Sequence, residues 1–336
     1  MPPEQKDSES TVTVVLALCA NIGVGLLKLA AGLITGSSAL LSEAAHSAGD
    51  STTEVLLLVA QRRSLKPADR SHPFGYGKER YFWSLLAAVA IFVSGSAFAF
   101  YQGLHTIFGH SAESTGELWI NYPVLALAAV LEGVSLRQAA GQMHRETQRT
   151  NRTLRSYLRT PRDPTVNSVL LEDTAAMVGI ALAALGVGLH QLTGSAVWDG
   201  AASIAIGVLL LCVSLLLARA CEALLIGRQA DPRLLHSVVR FLEDRDEVLD
   251  VVDVLTMVTG TDRVLLCLRV DFEDGLAAAD LEEACVRLDE QLRQELPVLS
   301  EVFIQPASRR DAALRERVEK RYGRALADVE SGTMDA

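Results

Sequence analysis

The chain is poor in the residues that staple soluble proteins or catalyse within them. Its five cysteines, Cys19, Cys212, Cys221, Cys267 and Cys285, form no C-x-x-C pair and no framework spacing, so they read as reduced or buried thiols. The His-Glu-x-x-His pattern that carries zinc and a general base in metalloproteases occurs nowhere, and nothing else marks a water-activating base. An enzyme is therefore not expected. The first ten residues set Glu4, Asp7 and Glu9 against Lys6 alone. That start has neither the basic region of a cleaved signal nor the Arg-rich, acid-poor character of an organelle transit peptide. The formal net charge of −10 argues against nucleic acid as a partner.

What the chain has in excess is apolar sequence, at 49% hydrophobic residues with only 5% aromatic. Long apolar blocks fill the first two thirds, and charge gathers from Asp231 onward. This asymmetry predicts a membrane domain followed by a soluble one. Six spans are expected, at residues 11–35, 38–61, 81–108, 119–140, 166–190 and 201–225, each long enough given that about 20 residues cross the hydrocarbon. Trp119 and Tyr122 suit interface anchors at the start of the fourth. Arg62, Arg63, Lys66, Arg70, Lys78 and Arg80 crowd the second loop, and Arg145, Arg149, Arg152, Arg155, Arg159 and Arg162 the fourth. The first, third and fifth loops carry no Lys or Arg, which places both termini in the cytoplasm, and the plasma membrane is the expected site in a bacterium. The arginine run reads as a solvated face or as contact with anionic lipid headgroups.

Beyond the spans the period changes. Asp231 suits a helix cap with Pro232 at the first helical position, and Leu234, Leu235, Val238, Val239 and Leu242 share a helical face. Residues 248–258 and 263–272 read as strands joined by a turn at 259–262; residues 278–296 read as a helix and 298–305 as a last strand. The expected organisation is a tail at 1–10, a membrane domain at 11–228, an α-β-β-α-β domain at 229–306 and a charged tail at 307–336 that lacks a core face and reads as a frayed helix or a disordered tail.

The chemistry gathers on the second span. His46 and Asp50 lie one helical turn apart on one face. An ionised Asp at the bilayer centre costs roughly 2.5–3.5 kcal/mol on insertion scales, so the pair needs a reason to be there. It could be a polar stripe bonded to another helix. The fifth span, however, also places Asp173 inside an apolar helix, with Glu172 beside it. Several acidic groups in one bundle repel unless a cation sits among them. Imidazole with carboxylates suits Zn²⁺, Mn²⁺, Fe²⁺ or Co²⁺, with zinc ahead of Mg²⁺ or Ca²⁺. Glu132 in the fourth span reads as an ion-pair partner of Lys28 or as a path-lining group. Glu54, one turn beyond Asp50, would draw cations inward or face the cytoplasmic vestibule. In the second loop, Asp69 and His72 could share a metal or be ordinary surface residues, and residues 73–77 read as a turn with aromatic anchoring.

These residues resemble the cation diffusion facilitator family. The resemblance is carried by Asn21, Lys28, the stretch from Gly36 to Asp50, the segment from Ser71 to Lys78 and the run from Asp163 to Ala176. It covers about residues 11–306, and the last segment looks most like the branch containing animal zinc transporter nine. The resemblance implies a dimeric metal–proton antiporter with six spanning helices and a ferredoxin-like cytoplasmic domain. By it, His46, Asp50 and Asp173 are metal ligands, and the metal is cargo rather than a resident cofactor. The chain departs from the family at Val169, where most zinc-transporting members have His, so that Glu172 or water must complete the site. It departs again at Tyr76 and at Gln305, each of which replaces a frequent His, and His236 is the only histidine of the last domain. The expected function is export of a divalent metal, zinc first, against protons by alternating access. A non-transporting membrane metal sensor or scaffold is the alternative.

Overall fold

The computed structural model of the chain describes residues 18, 21–109, 118–149 and 164–322. Contacts divide it into two units, one holding the chain up to Arg63 with Glu79–Glu222, the other holding Ser64–Lys78 with everything from Ala223.

The first unit is helical. Helix α1 is described over Asn21–Thr35 and α2 runs Ser38–Ser64. Gly36, at φ 71°, makes the tight link between them, a backbone region where a side chain is strained. Helix α3 covers Glu79–Phe108, α4 Asn121–Arg149, α5 Pro164–Thr193 and α6 Val197–Ile226. Helices α3 to α6 contain four stretches long and apolar enough to cross a membrane. The 27 residues of α2 are long enough, but Ser42, Glu43, His46, Ser47, Asp50 and Glu54 interrupt its apolar run. The described part of α1 is apolar but shorter than a span.

Two expectations for the fourth and fifth spans change. Helix α4 continues to Arg149, so Arg145 and Arg149 belong to a helix rather than to the basic loop. The remaining arginines of that run, Arg152 to Arg162, lie outside the described residues. Helix α5 opens on Pro164, whose fixed φ suits a first turn, and this sets Glu172 and Asp173 deeper in the helix than expected.

The burial pattern is that of a protein in lipid. Leu26, Leu33, Val93, Val130, Leu185 and Leu216 are exposed, whereas Lys28, Glu43, His46 and Asp199 are buried. Water would penalise that distribution; hydrocarbon demands it. Within α3, residues Ile91–Ala97 form a π-helical segment where the helix meets α2 and α6. A Cβ on Gly49 would strike Ser94, one on Gly95 would strike Leu210, and Ser96 Oγ donates to Gly207 O at 2.9 Å.

The second unit is α+β. Helix α7 (Pro232–Glu243) begins under its Asp231 cap, which accepts from Arg233 N at 2.9 Å. Strands β1 (Val248–Gly260) and β2 (Arg263–Phe272) form an antiparallel hairpin. Helix α8 (Ala278–Glu295) then returns the chain to β3 (Leu299–Pro306), parallel to β2. Val264, Leu266, Leu268 and Val270 alternate along β2 toward one core. That core also takes Val238, Phe241 and Leu242 from α7 and Ala284, Leu288 and Leu292 from α8.

Of the two readings of the tail, the helix holds over Ala312–Tyr322 (α9), but it has a core face after all: Leu314 and Val318 bury against Val252. A bulge between Val251 and Asp253 makes this possible, because the extra residue breaks the alternation of the strand. Asp253 then accepts from Arg269 at 2.8 Å and from Arg321 of α9 at 3.0 Å. The charge pattern of 312–322 concealed two apolar residues four apart, enough to seat a short helix.

The loop Ser64–Lys78 belongs to this unit. Lys78 Nζ donates to Leu225 O at 3.4 Å, and a Cβ on Gly77 would strike the Thr259 carbonyl in the β1–β2 turn.

Candidate metal centre

The helical unit holds two kinds of buried polar group. The first kind is held by partner side chains, although Glu43 Oε1 itself makes no hydrogen bond among the described residues. Asp199, in the first turn of α6, accepts from Ser37 Oγ at 2.7 Å, from Ser38 Oγ at 2.8 Å and from the backbone N–H groups of Ser38 and Ala39. It thereby caps α2, whose opening N–H groups have no partner within their own helix. Lys28 of α1 is buried at 0% exposure against Glu43 of α2 at 3.0 Å, and donates also to Ser47 Oγ at 2.9 Å. Ser42 and Ser203 share a 2.6 Å hydroxyl contact.

The second kind is not engaged. His46 Nδ1 lies 3.3 Å from Asp50 Oδ1, with side chains 2% and 15% exposed, one turn apart as the spacing predicts. Yet His46 Nε2, Asp50 Oδ1, Glu54 Oε2 and Glu172 Oε1 are buried and make no hydrogen bond among the described residues. Such groups cost several kcal/mol each in a membrane interior. Glu54 uses its other oxygen to accept from Asn21 Nδ2 at 2.6 Å. Asp173 is held by Ser135 of α4, whose Oγ donates to Oδ2 at 2.8 Å. Other charges lie around the set: Glu43 and Lys28 first, then Glu132 and Asp173, act on His46, and Asp50, Asp173 and Glu54 act on Glu172.

The structure brings His46 and Asp50 together and puts the carboxylates of α4 and α5 within electrostatic reach of them. It does not gather three His, Cys, Asp or Glu side chains at ligand distance among the described residues. The side chain of Val169 lies outside the described residues.

The pairing of Lys28 with Glu132 is corrected. Lys28 is engaged by Glu43, three residues before His46 on the same helix and therefore on the same face. Glu43, Asp199 and Ser135 were missed. For Glu43 the signal was a further charge in phase with the His46–Asp50 stripe. For Asp199 it was an acid in the first turn of an apolar helix, opposite the hydroxyl pair Ser37–Ser38. Ser135 carried no signal, since a serine in an apolar helix usually bonds its own backbone.

In the loop, Asp69 takes part in its own turn. Tyr76 Oη donates to Oδ2 at 2.7 Å, and the N–H groups of His72 and Ser71 each donate to Oδ1 at 2.8 Å. These bonds, the tyrosine's first, hold the Asp69 carboxyl below the usual range. His72 Nδ1 stands 3.7 Å from the carboxylate and its ring lies tilted against Tyr76, centroids 4.2 Å apart. Gln305 accepts from Arg269 Nε at 3.1 Å, and His236 lines a cleft with Arg240 and Glu295.

Apolar helices of spanning length around an interior of buried acids, a lysine and a histidine define an integral membrane protein with a polar centre. Residues 14–226 match the cation efflux transmembrane domain, and the chain belongs to the cation efflux family, a family of transporters and not of enzymes. It is 34% identical over 260 residues to the proton-coupled zinc antiporter SLC30A9, mitochondrial, of Mus musculus, an overlap of 77% of this chain and 46% of that protein. The Homo sapiens protein of the same name is 33% identical over 260 residues, with 77% and 45% covered. Metal tolerance protein C4 of Arabidopsis thaliana is 31% identical over 269 residues, with 80% and 58% covered. The chain thus spans about half the length of these relatives.

Proposed function

We propose that the protein exports a divalent metal, zinc first, from the cytoplasm in exchange for protons. The observation that carries this reading is the buried pair His46–Asp50, with Nε2 and Oδ1 making no hydrogen bond among the described residues. Imidazole nitrogen with carboxylate oxygen is a donor set for zinc-like ions. Asp173 supplies the third donor, and Glu172 or water is open to the remaining position. The ligands are drawn to coordination distance by the cation itself, because uncompensated carboxylates repel when no charge lies between them.

Only deprotonated ligands bind metal. Metal arriving from the cytoplasm therefore displaces protons from His46, Asp50 and Asp173. Once the bundle has opened to the other side, protons reload the same lone pairs and release the cargo. In this reading both termini are cytoplasmic, six helices span, and two copies form the working unit. The relatives named as zinc antiporters support the choice of cargo and of counter-ion.

The test is zinc-driven proton flux in proteoliposomes. Asp50→Ala abolishes it while the protein still reconstitutes; flux at the level of the unaltered protein in that variant overturns the proposal. A sensor or scaffold is the second reading, favoured by the apolar Val169 and by the absence of three gathered ligands among the described residues. Zinc binding without uptake under a pH gradient would select it.

A further inference from the structure

We propose that the π-helical segment Ile91–Ala97 of α3 positions the His46–Asp50 pair, with Ser94 as the stop against which α2 is seated. The inference rests on the reading of His46 and Asp50 as metal-binding.

A π-helical segment widens the turn, bonding i→i+5 in place of i→i+4, and such segments recur at functional sites. Here the wider turn lets three successive residues face two helices. Ser94 meets α2: a Cβ on Gly49 would lie 2.6 Å from its Oγ and 4.0 Å from the Ile91 backbone. Gly95 and Ser96 meet α6, where a Cβ on Gly95 would strike Leu210 and Ser96 Oγ donates to Gly207 O at 2.9 Å. Three neighbours on a regular α-helix fan out over more than half a turn. The π segment keeps them on its inner side, while Phe92 and Val93 are exposed.

Gly49 is the residue through which α2 meets this segment. It follows His46 by three positions and immediately precedes Asp50, so it shares the histidine's face and carries the aspartate. Ser42, on that face one turn before His46, contacts Ser203 at 2.6 Å. Helix α2 is thus held against α6 one turn before the pair and against the π segment within it. Ser94 does not step aside freely. Its Oγ donates to Ala90 O at 2.6 Å, and turning it away would strand a hydroxyl inside the bundle. That bond commits the proton to its own helix, and the side of Oγ toward α2 acts as a stop. His46 Nδ1 and Asp50 Oδ1 stand 3.3 Å apart, and a shift or rotation of α2 at Gly49 moves both donors relative to the rest of the bundle. Ser94 is therefore a positioning residue.

The experiment uses the full chain in nanodiscs. Zn²⁺ binding is measured by competition against a chelating dye, Co²⁺ coordination is read from visible absorption, and the apparent Tm is followed in parallel. Losing a group that only orients the ligands costs about 10–100-fold in metal affinity. Gly49→Ala, whose methyl meets Ser94 Oγ, is expected to weaken zinc by about 10-fold and to shift the Co²⁺ bands. Ser94→Ala leaves only a Cβ, 3.9 Å from that methyl, so the double variant returns to within about threefold of the unaltered protein. Ser94→Ala alone removes the stop without filling its place and falls between the two. A contact that only stabilised the fold would lower the apparent Tm and leave zinc affinity and the bands alone. Deleting Val93, an outward-facing residue of the segment, restores a regular α-turn and costs at least about 10-fold; if that variant is not monodisperse, the Gly49–Ser94 pair decides. Unchanged affinity in Gly49→Ala or in the deletion overturns the inference, as does a loss in Gly49→Ala that Ser94→Ala fails to relieve. Asp50→Ala separates the two levels: if it binds zinc normally, the parent reading fails; if it loses zinc while Gly49→Ala keeps it, only this inference fails.

Discussion

Asp199 and Asp50 are both aspartates within one helical bundle, and they meet opposite fates. Asp199 sits at a helix start and faces another helix start, where backbone N–H groups have no intrahelical partner. It collects donors from Ser37, Ser38 and Ala39. Asp50 sits mid-helix, where every neighbouring N–H is already committed to the i→i−4 ladder. Its close contact is His46, and its Oδ1 makes no hydrogen bond among the described residues. Lys28 and His46 repeat the contrast, one locked to Glu43, the other with a bare nitrogen. The difference separates residues with partners in the bundle from residues whose buried atoms make no hydrogen bond among the described residues.

Breaking the engaged groups should cost stability, and breaking the others should cost transport instead. The largest stability effect is expected at Lys28. Lys28→Met leaves Glu43 buried and unpaired, a loss of about 3–5 kcal/mol, seen as a fall in the apparent Tm of the detergent-solubilised protein. Adding Glu43→Leu recovers most of it, since removing both charges ends the penalty. A double variant no more stable than the single one would place Glu43 outside the structural class.

Next comes Asp199→Ala, which strips α2 of its cap and strands the donors of Ser37 and Ser38. Charge-assisted bonds contribute about 1.5–3 kcal/mol each before compensation, so a net loss of about 3 kcal/mol is expected. Asp50→Ala, the partner in the comparison, leaves the apparent Tm unchanged or higher, because it removes a carboxylate that the fold does not compensate. A marked fall in Tm for Asp50→Ala would erase the distinction.

The same contrast explains what could be read in advance. His46 and Asp50 were legible because helical spacing alone puts them on one face. The strands and helices of the C-terminal unit were legible for a similar reason: Val264 to Phe272 alternate with period two, and Asp231–Pro232 is a cap signal carried by adjacent residues. Partners that come from a distant helix were not. Nothing local ties Lys28 to Glu43 rather than to Glu132, or Ser135 to Asp173, because helix rotation and depth are set by packing. The core face of α9 escaped because its two buried residues matter only once the β1 bulge offers them Val252.

The smallest effect tests the comparison outside the membrane, at Asp69. Its carboxylate is engaged as fully as that of Asp199, but on an exposed loop where water competes for every bond. Hydrogen bonds from Tyr76 and from the His72 and Ser71 N–H groups hold its titration below the usual range. A depressed carboxylate stabilises the folded turn above the ordinary Asp range, and that support fades as pH falls through the lowered value. Tyr76→Phe removes the first of these bonds. The titration then moves up, and amide protection of Ser71 and His72, measured by hydrogen exchange corrected for intrinsic rates, is lost at a higher pH than in the unaltered protein. Zinc affinity stays the same. A change in zinc affinity with Tyr76→Phe would instead make the loop carboxylate part of the metal path.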